Sequence, residues 1–239
     1  MRAILIAGGK GTRLYPYTVN FPKPLVPIGD KPVLEILIRR LRNYGFDHIT
    51  LCVGHLSGLI EAYFKDGSWL GLKIDYSLEH EPLGTAGPIK LIGGYLPDTF
   101  LVANGDLLTD IDFKKIFEMH KKKKADLTVG TYKKEEKIEL GVLKIKKGKV
   151  VDYLEKPINK YDISMGLYIF SRSVVDFIPL NQRYDMPSLV VELIKNKKNV
   201  VSYEHEGYWL DIGRPDDYQK AIEKYTEDPN SFTLDGDTK

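Results

Sequence analysis

The sequence predicts an α/β protein in which a mixed, mostly parallel sheet is flanked by helices and an antiparallel hairpin region is inserted. Three observations predict it. The apolar run AILIA at residues 3–7 stops at two consecutive glycines, as a central strand of a parallel sheet does on reaching a ligand crevice. Strand-like and helix-like patterns then alternate as far as residue 120, which favours right-handed crossovers between parallel strands. Beyond that point the pattern turns to strands, and the Lys-rich KIKKGKV around Gly148 reads as an antiparallel hairpin added to the core sheet.

The elements follow in order. Residues 32–44 carry Leu34, Ile38 and Leu41 on one face with Arg39, Arg40 and Arg42 between them and Gly45 as a stop, an amphipathic helix. His48–Val53 is a second buried strand, 56–64 a helix, 72–77 a third strand. EHEPLGTAG at 79–87 follows that strand end. A strand at 100–103 runs into Asn104, Gly105 and Asp106, and Asp112 caps a helix at 112–120. Strands are expected at 125–132, 141–145 and 150–154, helices at 171–177 and 187–196, and a strand at 199–204. The chain closes on YWLDIGRPDDY, where Asp211 follows an aromatic strand and precedes a Gly turn and a Pro-started helix. Past residue 226 the sequence is polar and loses its apolar period, so the end is expected to fray.

Composition narrows the function. At 239 residues, 43% hydrophobic and 28% charged, the chain supports one sizeable core, and a net charge of +2 gives no reason to expect nucleic acid. Lys121, Lys122, Lys123 and Lys124 read as a solvated helix end. No signal peptide, transit peptide or long apolar span is apparent, so no membrane partner and a cytoplasmic location are expected. Cys52 is the only cysteine and sits in the strand-like HITLCVG as a small hydrophobe.

The chemistry points to the stretch 4–32. Gly8, Gly9 and Gly11 let backbone N–H groups approach an anion closely, and Lys10, Arg13 and Lys23 add positive charge around the loop, Arg13 with a planar fork suited to phosphate. It is neither of the two familiar phosphate loops. A P-loop needs a hydroxyl residue after Gly9-Lys10, where Gly11 stands, and a dinucleotide fingerprint needs a glycine where Leu14 stands, with Pro16 soon interrupting any helix. Asp106, beyond a strand end, is a candidate ligand for a hard cation, which takes few protein carboxylates and completes its shell with phosphate oxygens and water.

These segments carry a resemblance to the sugar nucleotidyltransferases, which join a nucleoside triphosphate to a sugar 1-phosphate. The pattern GG-x-GTRL, P-x-T, PKPL-x-P and KP-x-L is present at 8–14, 16–18, 22–27 and 31–34, and W-x-D-I-G-x-P is present at 209–215. The resemblance implies a Rossmann-like sheet in one domain over residues 1–225, with a nucleotide part over about 1–112, a sugar-phosphate part over about 113–225 and a polar tail at 226–239. It implies catalytic roles for Arg13, Lys23, Asp106 and Asp211, with Mg²⁺ held by Asp106 and Asp211. Nucleotide contacts fall on Ala7, Gly8, Gly9, Gly11 and Thr12, and on Glu79, Pro82, Gly84 and Thr85. Sugar-phosphate contacts fall on Asn104, Gly105, Gly141, Glu155, Lys156 and Gly166. The chain departs from the family at Ser164-Met165-Gly166, where many members have N-x-G, so the sugar is left open.

The version EPLGTAGP resembles the guanylyltransferases, particularly short bacterial enzymes of the mannose-1-phosphate type. Physical reasoning agrees, because guanine offers two adjacent donors that a carboxylate such as Glu79 can accept in a fork. GTP and a sugar 1-phosphate are thus the expected partners, with a uridylyl-, thymidylyl- or cytidylyltransferase as the alternative enzyme and a non-catalytic nucleotide-sugar sensor as the alternative of another class. A homo-oligomer is compatible with the sequence.

Overall fold

The computed structural model describes residues 1–92 and 96–233. Its frame is a seven-stranded sheet. In chain order the strands are β1 (Arg2–Ile6), β2 (His48–Val53), β3 (Lys73–Leu78), β4 (Thr99–Asn104), β5 (Leu127–Lys137), β6 (Ile158–Ser171) and β7 (Val200–His205), and their spatial order is β7-β5-β6-β4-β1-β2-β3. Only β6 runs against the others, antiparallel to both β4 and β5. The remaining pairs are parallel, with Leu5 of the central β1 opposite Leu51 and Ala103.

The helices are α1 (Val33–Asn43), α2 (Ser57–Phe64), α3 (Gly87–Leu91), α4 (Phe113–Lys123), α5 (Met186–Lys195), α6 (Pro215–Glu227) and α7 (Asn230–Thr233). Strand alternation sends Ala3 and Leu5 to one face of the sheet, where they pack with Leu34 and Leu41 of α1, Phe64 of α2 and Ile116 of α4. Ile4 and Cys52 go to the other face, against Phe100, Phe170 and Leu189 and Leu193 of α5. With helices on both faces, β1 has no solvent side, which explains why its run is continuously apolar. A third cluster joins Leu14, Val26 and Ile28 of the N-terminal stretch to Leu108, Ile212 and Tyr225. This packing carries the C-terminal motif back to the glycine loop.

Two expectations need revision. The hairpin Val142–Lys146 with Lys149–Leu154 forms around Lys147 and Gly148, both at positive φ, but it is a separate two-stranded ribbon instead of an addition to the core sheet. The reversed strand of the core is β6, 14 residues long. The stretch past residue 226 is also less free than its polarity suggests: Asn230–Thr233 makes a helical turn with Phe232 buried, and Arg40 Nη1 donates to the Ser231 carbonyl at 2.6 Å. The rest of that tail, 234–239, lies outside the described residues. Among those described, no helix is long and apolar enough to cross a membrane.

Candidate active site

The glycine loop leaves β1 at the carboxyl end of the sheet. Ala7 N–H still pairs with the Cys52 carbonyl at 2.8 Å, so the loop starts from a fixed point. Gly11 has φ +63°, and a Cβ there would sit 2.9 Å from Lys23 Cβ, so both conformation and space demand glycine. Thr18 Oγ1 donates to the Gly11 carbonyl at 2.8 Å and holds the turn closed. The result is that Lys23, at the start of the 3₁₀ turn Lys23–Leu25, stands directly beside the loop.

Lys23 Nζ pairs with Asp106 Oδ2 and lies 3.7 Å from Asp211 Oδ1. The two aspartates come from segments about a hundred residues apart, joined in a short antiparallel ribbon in which Leu107 opposes Asp211 and Thr109 opposes Trp209. Ile212 N–H donates to the Asp106 carbonyl at 3.2 Å, which closes the Asp106 end of the ribbon. The other end is clasped by Asp110, whose Oδ1 accepts the Tyr208 N–H at 2.8 Å and faces His205 Nε2 at 2.9 Å. These contacts hold the Asp110 carboxyl below the usual aspartate value although burial opposes them.

Asp106 Oδ1 and Asp211 Oδ1 are buried without hydrogen-bond partners among the described residues. Burial, then the neighbouring Asp106 charge, pushes the Asp211 carboxyl above its ordinary value, with Lys23 and Arg13 opposing the shift. Two unsatisfied carboxylate oxygens on one opening are costly unless something binds them. Their chemistry fits a small hard divalent cation that takes one or two carboxylates and fills its shell with phosphate oxygens and water. No group of three or more His, Cys, Asp or Glu side chains suited to a metal occurs among the described residues.

Two cavities meet at the loop. One, of about 340 Å³, is lined by the expected Ala7, Gly9, Gly11, Thr12 and Arg13, by Thr85 and Asn104, and by the Lys23, Asp106 and Asp211 cluster. The second, of about 460 Å³, contains Gly8, Glu79 and Pro82. Gly9 and Lys10 border both, so a single extended ligand can run from one to the other. Glu79 is half-buried in the second cavity. Its Oε2 accepts the Leu83 N–H at 2.9 Å, and burial outweighs this bond to raise its carboxyl above the usual glutamate value. Gly8 is glycine because a Cβ there would overlap Glu79 Oε1.

Other expected residues support rather than line. Gly84 (φ +79°) turns toward Asp185, which accepts the Thr85 N–H at 3.2 Å, while the Thr85 hydroxyl accepts the Met186 N–H at 2.8 Å. Gly105 N–H bonds the Ile6 carbonyl at 2.9 Å and ties the Asp106 turn to β1. Gly166 (φ +70°) lets Asn104 pack against it, since a Cβ would lie 2.5 Å from Asn104 Nδ2. Gly141, Glu155 and Lys156 are exposed around the outer hairpin, and none of them lines the cavity at Lys23. Gly54 and His55, which border the second cavity, were missed by sequence reasoning although they immediately follow β2 and thus carry the same strand-end signal.

Comparison with known proteins agrees with this geometry. Residues 2–228 match the family model described as "Nucleotidyl transferase". The UTP–glucose-1-phosphate uridylyltransferase of Synechocystis sp. is 37% identical over 93% of this chain and 62% of its own length. The D-glycero-α-D-manno-heptose 1-phosphate guanylyltransferase of Aneurinibacillus thermoaerophilus is 33% identical over 92% of this chain and 96% of its own length. A crystal structure of HddC from Yersinia pseudotuberculosis complexed with GMP-PN aligns with a TM-score of 0.73 and 29% identity, over 94% of this chain and 99% of that one. The chain spans less than two thirds of the length of several curated relatives it matches. With the family model covering nearly the whole chain, and the glycine loop, lysine and aspartate pair assembled at one sheet end, the chain belongs to the nucleotidyl transferase family.

Proposed function

We propose that this protein is a sugar-1-phosphate guanylyltransferase, transferring GMP from GTP to a sugar 1-phosphate with release of pyrophosphate. The observation that carries the transfer chemistry is the Lys23, Asp106 and Asp211 cluster, with two buried carboxylate oxygens that accept no hydrogen bond among the described residues, lining one cavity with the glycine loop. A phosphate oxygen of the sugar 1-phosphate attacks the α-phosphorus of the nucleotide, the bond from that phosphorus to the β-phosphate oxygen breaks, and pyrophosphate leaves with the electron pair. The nucleophile is already an anion, so no general base is required and catalysis consists of alignment and charge neutralisation. The loop amides, Lys10 and Arg13 bind the β- and γ-phosphates, and Lys23 neutralises the reacting α-phosphate. Asp106 and Asp211 would hold Mg²⁺, which would supply charge neutralisation to the phosphates.

Guanine is favoured by Glu79, whose Oε1 makes no hydrogen bond to protein among the described residues and is free to accept N1–H while Oε2, already bonded to Leu83, accepts the exocyclic amine. The guanylyltransferase relative and the GMP-PN complex support the same base. A uridylyltransferase is the second reading, favoured by the Synechocystis relative. Pyrophosphate release measured with Mg²⁺ and each of GTP, UTP, ATP, CTP and dTTP against mannose, glucose and heptose 1-phosphates decides between them. Release with GTP supports the proposal, release with UTP alone supports the second reading, and binding without release indicates a sensor.

A further inference from the structure

The turn at residues 83–87 touches both cavities at the glycine loop. Its Leu83 N–H tethers Glu79 Oε2 in one, and its Thr85 lines the other. The turn is itself held by residues 182–186, at the start of α5. The Leu83 carbonyl accepts the Tyr184 N–H at 2.9 Å, and the Tyr184 carbonyl accepts the N–H groups of Ala86 and Gly87, both at 2.9 Å. The two segments lie so close that side chains are excluded: a Cβ on Gly84 would sit 2.5 Å from Asp185 Oδ1 and 2.8 Å from the Tyr184 carbonyl oxygen, and one on Gly87 would sit 2.9 Å from the Gln182 carbonyl oxygen.

Within this contact two residues exchange hydrogen bonds. An aspartate at a helix N-cap ordinarily accepts the N–H of the second or third helical residue. Asp185 is the N-cap of α5 and makes no such bond, and Pro187, the second helical residue, has no N–H to offer. Asp185 Oδ1 instead accepts the Thr85 N–H at 3.2 Å, while the Met186 N–H is capped from outside the helix by Thr85 Oγ1 at 2.8 Å. Arg183 Nε, 3.8 Å from Asp185 Oδ2 at the surface, forms a pair of the kind that is worth little. Because the Thr85 hydroxyl accepts from Met186, its proton, which goes to no protein group among the described residues, is left for a ligand in the cavity at Lys23.

We propose that Asp185 is a positioning residue for the nucleotide, fixing the 83–87 turn so that the Thr85 hydroxyl donates to an oxygen of the nucleotide in one cavity while Glu79 is presented to the base in the other. Asp185 lines neither cavity, so it acts through Thr85. The proposal rests on the nucleotidyl-transfer reading and adds to its nucleotide contacts a residue from the half of the chain that the resemblance gives to the sugar phosphate.

The test starts from Asp185→Ala. The side chain is half-exposed and its removal opens no cavity in the core, so the variant should melt as a folded protein. In pyrophosphate-release assays its KM for the nucleotide should rise about tenfold, as expected on losing a hydrogen bond to a charged group, while the KM for the sugar 1-phosphate stays within about twofold. Asp185→Asn keeps an oxygen that accepts the Thr85 N–H and should restore most of the affinity. In a Thr85→Val background, which lacks the hydroxyl being positioned, Asp185→Ala should raise the nucleotide KM less than about threefold. An unchanged nucleotide KM in Asp185→Ala, an equal rise in both KM values, no recovery in Asp185→Asn, or the full tenfold rise in the Thr85→Val background overturns the proposal and leaves the proposed function standing. If no nucleotide supports release, the transfer reading has failed, and calorimetric titration with GTP and UTP reads the same contact without turnover. Binding by the wild type that weakens about tenfold in Asp185→Ala then supports the positioning role. Equal binding by both proteins, or none by the wild type, overturns it.

Discussion

Replacing Gly8 with alanine tests how the cavity at Glu79 is built. The added Cβ would overlap Glu79 Oε1, stand 3.1 Å from Glu79 Cδ and lie 3.3 Å from the Gly54 nitrogen. A free carboxylate would swing aside, but this one is tethered by the Leu83 N–H at 2.9 Å, so relief requires breaking a bond to a charged group, worth about 1.5–3 kcal/mol. If guanine binds the same carboxylate, the KM for GTP should rise about 10- to 100-fold in Gly8→Ala. The kcat should fall much less, because Lys23, Asp106 and Asp211 are untouched. The assay is pyrophosphate release at varied GTP, run as a cycle with Glu79→Ala, which removes the side chain the new methyl would strike. In the Glu79→Ala background Gly8→Ala should add little further loss. An equal loss in both backgrounds would refute the reasoning, since the damage would then come from the loop itself.

Two further predictions concern pH. Burial raises the Glu79 carboxyl, and if the charged form accepts from guanine as proposed, GTP binding should weaken as pH falls, beginning above the usual glutamate range near ~4.3; Glu79→Gln should lose this limb of the KM profile. His120 is 2% exposed, with Nδ1 2.8 Å from Thr128 Oγ1 and Nε2 3.2 Å from Ser171 Oγ, and burial lowers its pKa. The unfolded chain therefore takes up a proton near pH ~6.5 that the folded chain refuses, so stability is lost as pH falls below that value, and the slope of Tm against pH from about 7 to 5 should be shallower in His120→Gln.

Much of the fold is legible because its signals are local. AILIA announces a strand buried on both faces, Asp112 accepts the N–H groups of Lys114 and Lys115 as a helix cap should, and Lys147-Gly148 supplies the turn of the hairpin. What was not legible depends on pairing across long separations. The first half of β6, INKYDIS, is largely exposed and polar and pairs with the charged end of β5, so no apolar alternation marks it as a strand. The ribbon that brings Asp106 to Asp211 and the clamp between Thr85 and Asp185 each join segments about a hundred residues apart. For the site, motif order singled out Arg13, Lys23, Asp106 and Asp211 as candidates, and the structure gathers the four at one opening. Order could not reveal that Glu155 and Lys156 would be exposed beside the outer hairpin.

The central claim is that Asp106 and Asp211 together support nucleotidyl transfer at Lys23. Its most direct test is the rate of pyrophosphate release at saturating GTP, sugar 1-phosphate and Mg²⁺ in Asp106→Asn and Asp211→Asn, with thermal melting to verify the fold. Each variant should lose about 10²–10³ or more in kcat while melting as a folded protein. Retention of most of the wild-type rate by either folded variant would contradict the account.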